Sequence, residues 1–357
     1  MRRRAFLTGL PLAAVAQPAV PPIRGLSRTN LLEYHASGGA IRIATNPKQW
    51  ESRRQEAMAG MHEIAGPLPG KEKRCPLDVK IENEADMGTY IRRAITYSSE
   101  PNSRTTAYLC IPKTALAGKK AHGVLCLHPT DNTVGYKVVV GLGGLAHRQY
   151  AAELAERGYI TISPSYVQLA GYQPDVAALG YASGTMKAIW DNIRALDILD
   201  SLKPAIKGKY AAIGHSLGGH NAIYTAVHDT RITAVISSCG FDSFLDYYGG
   251  NIKGWIQTRY MMRLGKFLGR PQDVPFDFYE LVAALAPRPL FINAPLRDSN
   301  FRHDSVDRIV NAAKPIYSLY TASPNLQVQH PDSEHDFPDT VRMAAYDWLA
   351  RVLPPRL

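Results

Sequence analysis

Short apolar runs alternate with amphipathic stretches along the chain from about residue 90 onward. Runs of apolar and β-branched residues predict buried strands, whereas apolar residues three or four positions apart predict helices. The predicted strands cover residues 90–97, 104–111, 123–127, 159–163, 210–214, 231–238, 289–293 and 326–329. The predicted helices cover residues 148–157, 186–202, 218–228, 306–320 and 340–352.

This alternation predicts an α/β fold, in which a mainly parallel central sheet is covered by helices on both faces. The first two strands are an exception, because only residues 100–103 separate them and a hairpin results. Ligands in parallel sheets bind beyond the carboxyl ends of the strands. We therefore look for catalytic residues in the loops that follow strands.

The core pattern defines one large domain over residues 89–357. Residues 17–88 show no core pattern of their own, and we interpret them as an N-terminal extension that packs on this domain through a helix at 48–64. Residues 241–275 are too long for a plain connection and are rich in aromatic, Met and Gly residues. We expect them to form a lid or pocket wall over the active site.

The first sixteen residues have the pattern of an export signal. Two arginines followed by Ala-Phe-Leu at residues 3–7, a short apolar stretch and Ala-Val-Ala at 14–16 suit a twin-arginine signal peptide cleaved before Gln17. This predicts a periplasmic or secreted protein. A disordered basic tail is the alternative reading of the same residues.

Composition excludes several classes of partner. The 357 residues carry a formal charge of +10, but no basic run is interleaved with aromatic residues, so we expect no nucleic-acid partner. No apolar run reaches the roughly 18 residues of a membrane span. The four cysteines have no metal-type spacing and predict buried thiols. A single bridge between Cys110 and Cys126 stays open, should they lie on neighbouring strands.

Residues 214–218, Gly-His-Ser-Leu-Gly, match the G-x-S-x-G pattern between a predicted strand and a predicted helix. That context indicates a nucleophile elbow, a sharp turn that exposes the Ser216 hydroxyl above the sheet. The backbone N–H of Leu217 would then point at a developing oxyanion. The alternative is a glycine-rich turn with an inert serine.

A serine nucleophile needs a histidine base, and the histidine in turn needs a carboxylate. In folds with an elbow of this kind, the acid follows the serine in the chain and the histidine comes last. His335 lies between the last predicted strand and the last helix, which makes it our candidate base. His330 lies at the strand end itself, His215 should be turned away by the elbow, and His303 comes too early.

The candidate acid is Asp298, because it closely follows the strand at 289–293. Asp304 and Asp307 lie further on and suit the first turn of the next helix, where acidic residues are favoured. Asp242 follows the preceding strand, where some hydrolases carry this acid. It stays the principal alternative to Asp298.

A second oxyanion donor should come from the loop after residues 123–127, which reads His-Pro-Thr-Asp-Asn. Pro129 has no N–H to donate, so the backbone N–H of Thr130 is our candidate. The loop lacks the HGGG motif of many lipases. His128 could contact the substrate, shape the loop or simply be packed.

The chain resembles the α/β-hydrolase superfamily. Within it, the chain is similar to exported bacterial serine esterases of the acetyl xylan esterase-like and dienelactone-hydrolase-like kind. The resemblance covers roughly residues 48–353 and rests on residues 127–130, 153–159, 214–219, 286–289, Asp298 and 334–338. It implies a Ser-His-Asp carboxylic ester hydrolase without metal or organic cofactor, acting on a small-molecule or carbohydrate ester.

Two other functions remain open at this point. A peptidase or amidase could use the same triad, although the chain lacks the repeats of a propeller that often accompanies such enzymes. A non-catalytic binding protein could keep the fold, but serine, acid and histidine in the expected order argue against it. A haloalkane dehalogenase is excluded, because it needs an Asp at position 216.

Overall fold

The computed structural model describes residues 20–355, so the predicted signal peptide lies outside the described residues. The strands are β1 (Glu33–His35), β2 (Ile41–Ile43), β3 (Lys80–Asp86), β4 (Tyr90–Glu100), β5 (Ser103–Pro112), β6 (Ala121–Leu127), β7 (Ile160–Pro164), β8 (Ala205–His215), β9 (Ile232–Ser238), β10 (Leu290–Asn293) and β11 (Leu326–Gln329). The helices are α1 (Pro47–Ala65), α2 (Lys113–Leu116), α3 (Tyr150–Glu156), α4 (Gly184–Ser201), α5 (Leu217–His228), α6 (Phe278–Ala283), α7 (His303–Leu319) and α8 (Asp339–Val352).

Nine strands form the central sheet in the order β11-β10-β9-β8-β6-β7-β5-β4-β3. The six strands from β11 to β7 in this order are parallel. The remaining three, β5, β4 and β3, are antiparallel. The predicted α/β fold with a mainly parallel sheet is therefore confirmed, and so is the hairpin of β4 and β5.

Strand residues alternate between two apolar cores on opposite faces of the sheet. On β6, Leu125 and Leu127 belong to the core formed with α4, α5 and α7. Their neighbours Val124 and Cys126 belong to the core formed with α3 and α8. Since both faces are buried, residues 123–127 of the strand are all apolar, which explains the unbroken apolar run in the sequence.

The edge strand β3 was not predicted. Its sequence, KIENEAD, is mostly charged and six of its seven residues are exposed. Charged residues on an exposed edge strand prevent pairing with other chains, and they also hide the strand from a search for apolar alternation. β3 lies within residues 17–88, so this segment contributes a strand to the main sheet.

Buried ion pairs fasten the N-terminal segment to the rest of the protein. Arg28 Nη1 lies 2.9 Å from Asp277 Oδ2, and both side chains are fully buried. Arg53 Nη2 lies 2.8 Å from Glu280 Oε1, with 3% and 2% of the two side chains exposed. Because Asp277 caps α6 and also accepts a hydrogen bond from Ser243 Oγ at 2.7 Å, the N-terminal segment supports both ends of the 241–275 insertion.

All four thiols are free. Cys110 on β5 and Cys126 on β6 are separated by β7, so they do not lie on neighbouring strands and the open bridge does not form. None of the helices among residues 20–355 combines the length and the apolar content needed to cross a lipid bilayer.

Candidate active site

Ser216 occupies a strained turn between β8 and α5. Its φ is 55° and its ψ is −119°, a conformation that costs a non-glycine residue about 1–3 kcal/mol and that surrounding contacts must hold. The Ser216 N–H donates to Ser238 O at 2.8 Å, and the Gly219 N–H donates to Ser216 O at 2.8 Å. These bonds fix the turn between the sheet and the first turn of the helix.

The glycines of the motif allow the helix to pass close to the sheet. A Cβ at Gly218 would lie 1.9 Å from Leu127 O, at the end of β6. A Cβ at Gly214 would lie 2.2 Å from the Gly218 carbonyl carbon. Any side chain at either position would push α5 away from the strands, so both glycines are needed to build this elbow.

Asp298 and His335 are in direct contact. His335 Nδ1 lies 2.9 Å from both carboxylate oxygens of Asp298. The Asp298 side chain is 1% exposed and that of His335 is 27% exposed. The backbone N–H groups of Asn300 and Phe301 donate to Asp298 Oδ1 at 2.8 and 3.1 Å, which holds the carboxylate in place.

The His335 ring lies beside the elbow, with its centroid 4.9 Å from the ring of His215. Since Nδ1–H donates to the carboxylate, Nε2 is left as a proton acceptor. The structure therefore brings together the predicted acid and the predicted base, and places both next to the residue that precedes Ser216.

The rival histidines are occupied elsewhere. His330 bonds Ala294 O through Nδ1 at 2.6 Å and Asp307 through Nε2 at 3.0 Å. His215 is buried, its Nδ1 lies 2.9 Å from Ser238 Oγ, and burial holds its pKa well below the usual value. The His303 ring packs edge-on against the His330 ring, with centroids 5.8 Å apart.

The rival acids also have other environments. Asp304 accepts hydrogen bonds from Arg302 and Arg308, as expected of a residue in the first turn of α7. Asp242 is 1% exposed, and its Oδ2 accepts only the Arg302 N–H at 3.2 Å, while Oδ1 has no partner. Burial, with Asp246 and other nearby acids, raises the pKa of Asp242 to about 8, so this group is neutral at pH 7.

Asp242 should make stability depend on pH. The folded protein keeps the Asp242 proton up to about pH 8, whereas the unfolded chain releases it near pH 4. Because the folded state binds more protons between these values, this group makes folding less favourable as pH rises through the window. Asp242→Asn should remove that cost and stabilise the protein at pH 8 by up to a few kcal/mol. Denaturant unfolding of both proteins at pH 5, 6.5 and 8 measures the effect, and parallel stability curves would contradict it.

Leu217 and the loop after β6 carry the two predicted oxyanion donors. Leu217 is the first residue of α5, so its N–H has no acceptor within the helix. Thr130 is held through its side chain, since Oγ1 lies 3.1 Å from the Tyr260 hydroxyl of the 241–275 insertion. Arg259 donates to Asn132 Oδ1 at 3.1 Å. The insertion therefore fixes the loop that carries the second predicted oxyanion donor.

His128 is built into the interior of this loop. Its Nδ1 lies 2.8 Å from Pro129 O, and its Nε2 accepts the Tyr166 N–H at 3.0 Å. The residue is 2% exposed, and burial lowers its pKa to about 4, so the ring is neutral. Both nitrogens are thus occupied, which favours the packing role among the alternatives for His128. A contact with substrate stays a prediction.

An open cleft of about 520 Å³ includes His335 in its lining. Its walls come from the glycine-rich loop around Leu145, from Arg297, and from residues 332–336. Leu145 is 74% exposed and gives the cleft an apolar surface. Around it, Arg297 pairs with Asp332, and Arg148 pairs with Asp336. The cleft therefore combines one apolar surface with a polar border.

Cys239 belongs to the site and was read from the sequence only as a core residue. Its Sγ, a carboxylate oxygen of Asp298 and a ring nitrogen of His335 all lie within 4.8 Å of one another. Thiolate, carboxylate and imidazole are ligands that suit Zn²⁺, so these three residues could hold a metal ion. His335 and Asp298, however, already bond each other through the atoms concerned. A thiol at the end of an apolar strand gives no sequence signal for this position.

Comparisons with known proteins bear on the fold of the chain. No family model matches the chain. A 166-residue stretch is 26% identical to "Putative hydrolase YtaP" of Bacillus subtilis (strain 168), covering 46% of this chain and 53% of that protein. The match thus spans about half the length of this curated relative.

Solved structures match over more of the chain. A glucuronoyl esterase from Solibacter usitatus has a TM-score of 0.70 at 20% identity, over 94% of this chain and 97% of that one. A structure from Bacteroides fragilis, described as a "putative acetyl xylan esterase", has a TM-score of 0.62 at 18% identity, over 86% and 89%. A glucuronoyl esterase from Teredinibacter turnerae has a TM-score of 0.64 at 16% identity, over 89% of both chains. The resemblance inferred from the sequence is confirmed at the level of the fold: the chain has the α/β-hydrolase fold.

Proposed function

We propose that the protein is a serine carboxylic ester hydrolase that acts through an acyl-enzyme on Ser216. The observation that carries this proposal is the bonded pair of Asp298 and His335 beside the strained elbow at Ser216. A buried carboxylate that holds Nδ1–H of a histidine leaves Nε2 free to accept a proton, which is the role of a general base.

The residues would act in two steps. Ser216 Oγ attacks the ester carbonyl while His335 Nε2 accepts its proton, and the backbone N–H groups of Leu217 and Thr130 stabilise the oxyanion. His335 then donates the proton to the departing alcohol. A water molecule, activated by the same nitrogen, releases the acid from Ser216. Asp298 keeps its charge throughout and stabilises the imidazolium form of His335.

We propose esters linked to carbohydrates as the substrate class. The alcohol leaves toward the base, and the cleft beside His335 joins the apolar Leu145 to a polar border. Sugar rings carry hydroxyl groups at their edges and C–H groups on their faces, so such a cleft suits them. The structures described as glucuronoyl and acetyl xylan esterases point to the same class.

A panel of esters tests this function. It pairs p-nitrophenyl esters from acetate to decanoate with acetylated xylan and with methyl glucuronate and feruloyl esters, and a fluorophosphonate probe labels the serine. We expect labelling at Ser216 and turnover concentrated on the sugar-linked esters. Activity that rises with acyl chain length would instead indicate a general carboxylesterase, and an unlabelled Ser216 would refute the serine mechanism.

We also propose that the protein is exported from the cytoplasm. The arginine pair and the cleavage pattern within residues 1–16 support a periplasmic or secreted site of action. Fractionation of cells that express the full chain would test it, with a variant in which Arg3 and Arg4 are both replaced by lysine as control.

A further inference from the structure

Five rings follow one another in contact from the base to the oxyanion loop, and we call them the aromatic arc. In order, they belong to His335, Phe301, Trp255, His220 and Tyr260. Consecutive ring centroids lie 6.0, 6.2, 4.8 and 6.0 Å apart. The arc ends where the Tyr260 hydroxyl meets Thr130 Oγ1. Its middle lies at the first turn of α5, because the His220 N–H bonds Ser216 O at 3.3 Å.

Two polar atoms at the centre of the arc have no hydrogen-bond partner. They are Trp255 Nε1 and His220 Nε2, on residues that are only 4% and 5% exposed. His220 Nδ1–H donates to Gly240 O at 3.0 Å, and burial lowers the pKa of this ring to about 3, so Nε2 is an unprotonated acceptor. An unpaired donor and an unpaired acceptor therefore lie on two neighbouring rings, whose centroids are 4.8 Å apart.

Leaving such groups unpaired is costly. A buried donor or acceptor without a partner destabilises a protein by about 1–3 kcal/mol, and native structures contain few of them. An alkyl-binding pocket has no use for either atom. A ligand hydroxyl satisfies both at once, since its oxygen can accept one hydrogen bond while its proton is donated in another.

We propose that the aromatic arc is the acyl subsite and that it selects an acyl group bearing a hydroxyl, which accepts from Trp255 Nε1–H and donates to His220 Nε2. This inference rests on the proposed function. The ester carbonyl must point at the Leu217 and Thr130 N–H groups, so the acyl group lies against the first turn of α5, next to His220. The alcohol departs on the other side, past His335 into the cleft at Leu145.

The subsite predicts a preference between esters of the same size. Sites with hydrogen-bonding groups reject analogues that leave those groups unpaired more strongly than apolar pockets reject an added hydroxyl. We therefore expect kcat/KM for methyl glucuronate to exceed that for methyl cyclohexanecarboxylate, which has a similar ring and no hydroxyls, by at least about tenfold.

Trp255→Phe tests the donor directly. Phenylalanine keeps an aromatic ring and removes the N–H, so the ratio of kcat/KM for the glucuronate ester to kcat/KM for the cyclohexane ester should fall about tenfold. Trp190→Phe is the matched control, because that indole N–H donates to Ser99 O at 2.9 Å in the core beside α4. It should leave the preference unchanged.

A second variant and a binding assay keep the test independent of turnover. His220→Asn can retain the bond to Gly240 O while it removes Nε2, and it should reduce the same preference. Calorimetric binding of both methyl esters to Ser216→Ala, with and without Trp255→Phe, measures the selectivity when no ester is cleaved. If the wild-type protein cleaves neither ester but still binds them selectively, the proposed hydrolase function is refuted and the proposed subsite is supported. Equal selectivity with Trp or Phe at position 255 would refute the subsite.

Discussion

Ser216→Ala is expected to lower kcat by about 10⁶-fold toward whichever ester of the panel is turned over fastest. The variant cannot form the acyl-enzyme, so it keeps only the roughly 10³–10⁴-fold acceleration over water that oxyanion N–H groups and substrate binding provide. Folding should be unaffected, because the backbone bonds of the elbow involve no side-chain atom of residue 216. Steady-state kinetics and thermal unfolding of the same preparation provide the two measurements.

A serine remote from the site controls for this change. Ser318 lies on α7, where its hydroxyl donates to Lys314 O at 3.0 Å, and Ser318→Ala should keep full activity and full labelling by the fluorophosphonate. Residual turnover by Ser216→Ala at a substantial fraction of the wild-type rate, in a preparation free of contaminating esterase, would refute the assignment of the nucleophile.

Asp298→Asn is expected to lower kcat by about 10⁴-fold with little change in KM. The Asn300 and Phe301 N–H groups hold the oxygen at the Oδ1 position, so the new amide nitrogen would take the Oδ2 position and face His335. An NH₂ group there donates to Nδ1, which forces the imidazole proton onto Nε2. That tautomer cannot accept the Ser216 proton.

Asp242→Asn makes the same chemical change at the rival carboxyl. Because burial keeps Asp242 neutral at pH 7, an amide resembles the group that is already there, and kcat should stay within a few-fold of wild type. The opposite pattern, with Asp242→Asn inactive and Asp298→Asn active, would transfer the role of the acid to Asp242.

Local spacing was enough to predict the central parts of the site. The elbow depends on two glycines next to a serine, and the structure shows the backbone contacts that demand them. His335 follows from its place between the last strand and the last helix. The choice between Asp298 and Asp242 could be made only provisionally, since it depends on which carboxylate the loop N–H groups at 300–302 reach and on how far burial shifts each pKa.

Features built from distant parts of the chain were not predictable. The aromatic arc combines residues from α5, from the 241–275 insertion and from the loops before α7 and α8, and no single segment carries its pattern. Cys239 reads as one more apolar strand residue until the fold brings it to the pair of Asp298 and His335. The packing of His128 was not predictable either, because it depends on the Tyr166 N–H, which lies 38 positions further along the chain and donates to His128 Nε2.

The ion pairs that fasten the N-terminal segment have a consequence for the order of folding. Arg28 and Asp277 are 249 positions apart, and Arg53 and Glu280 are 227 apart. Contacts between such distant positions form late, because a long loop must close before they stabilise anything. As a nascent chain, the protein cannot form these ion pairs until about residue 280 has been synthesised. A protease that removed the chain through Arg53 would leave the Asp277 and Glu280 carboxylates buried without their cations, so it would destabilise the folded protein instead of trimming a tail.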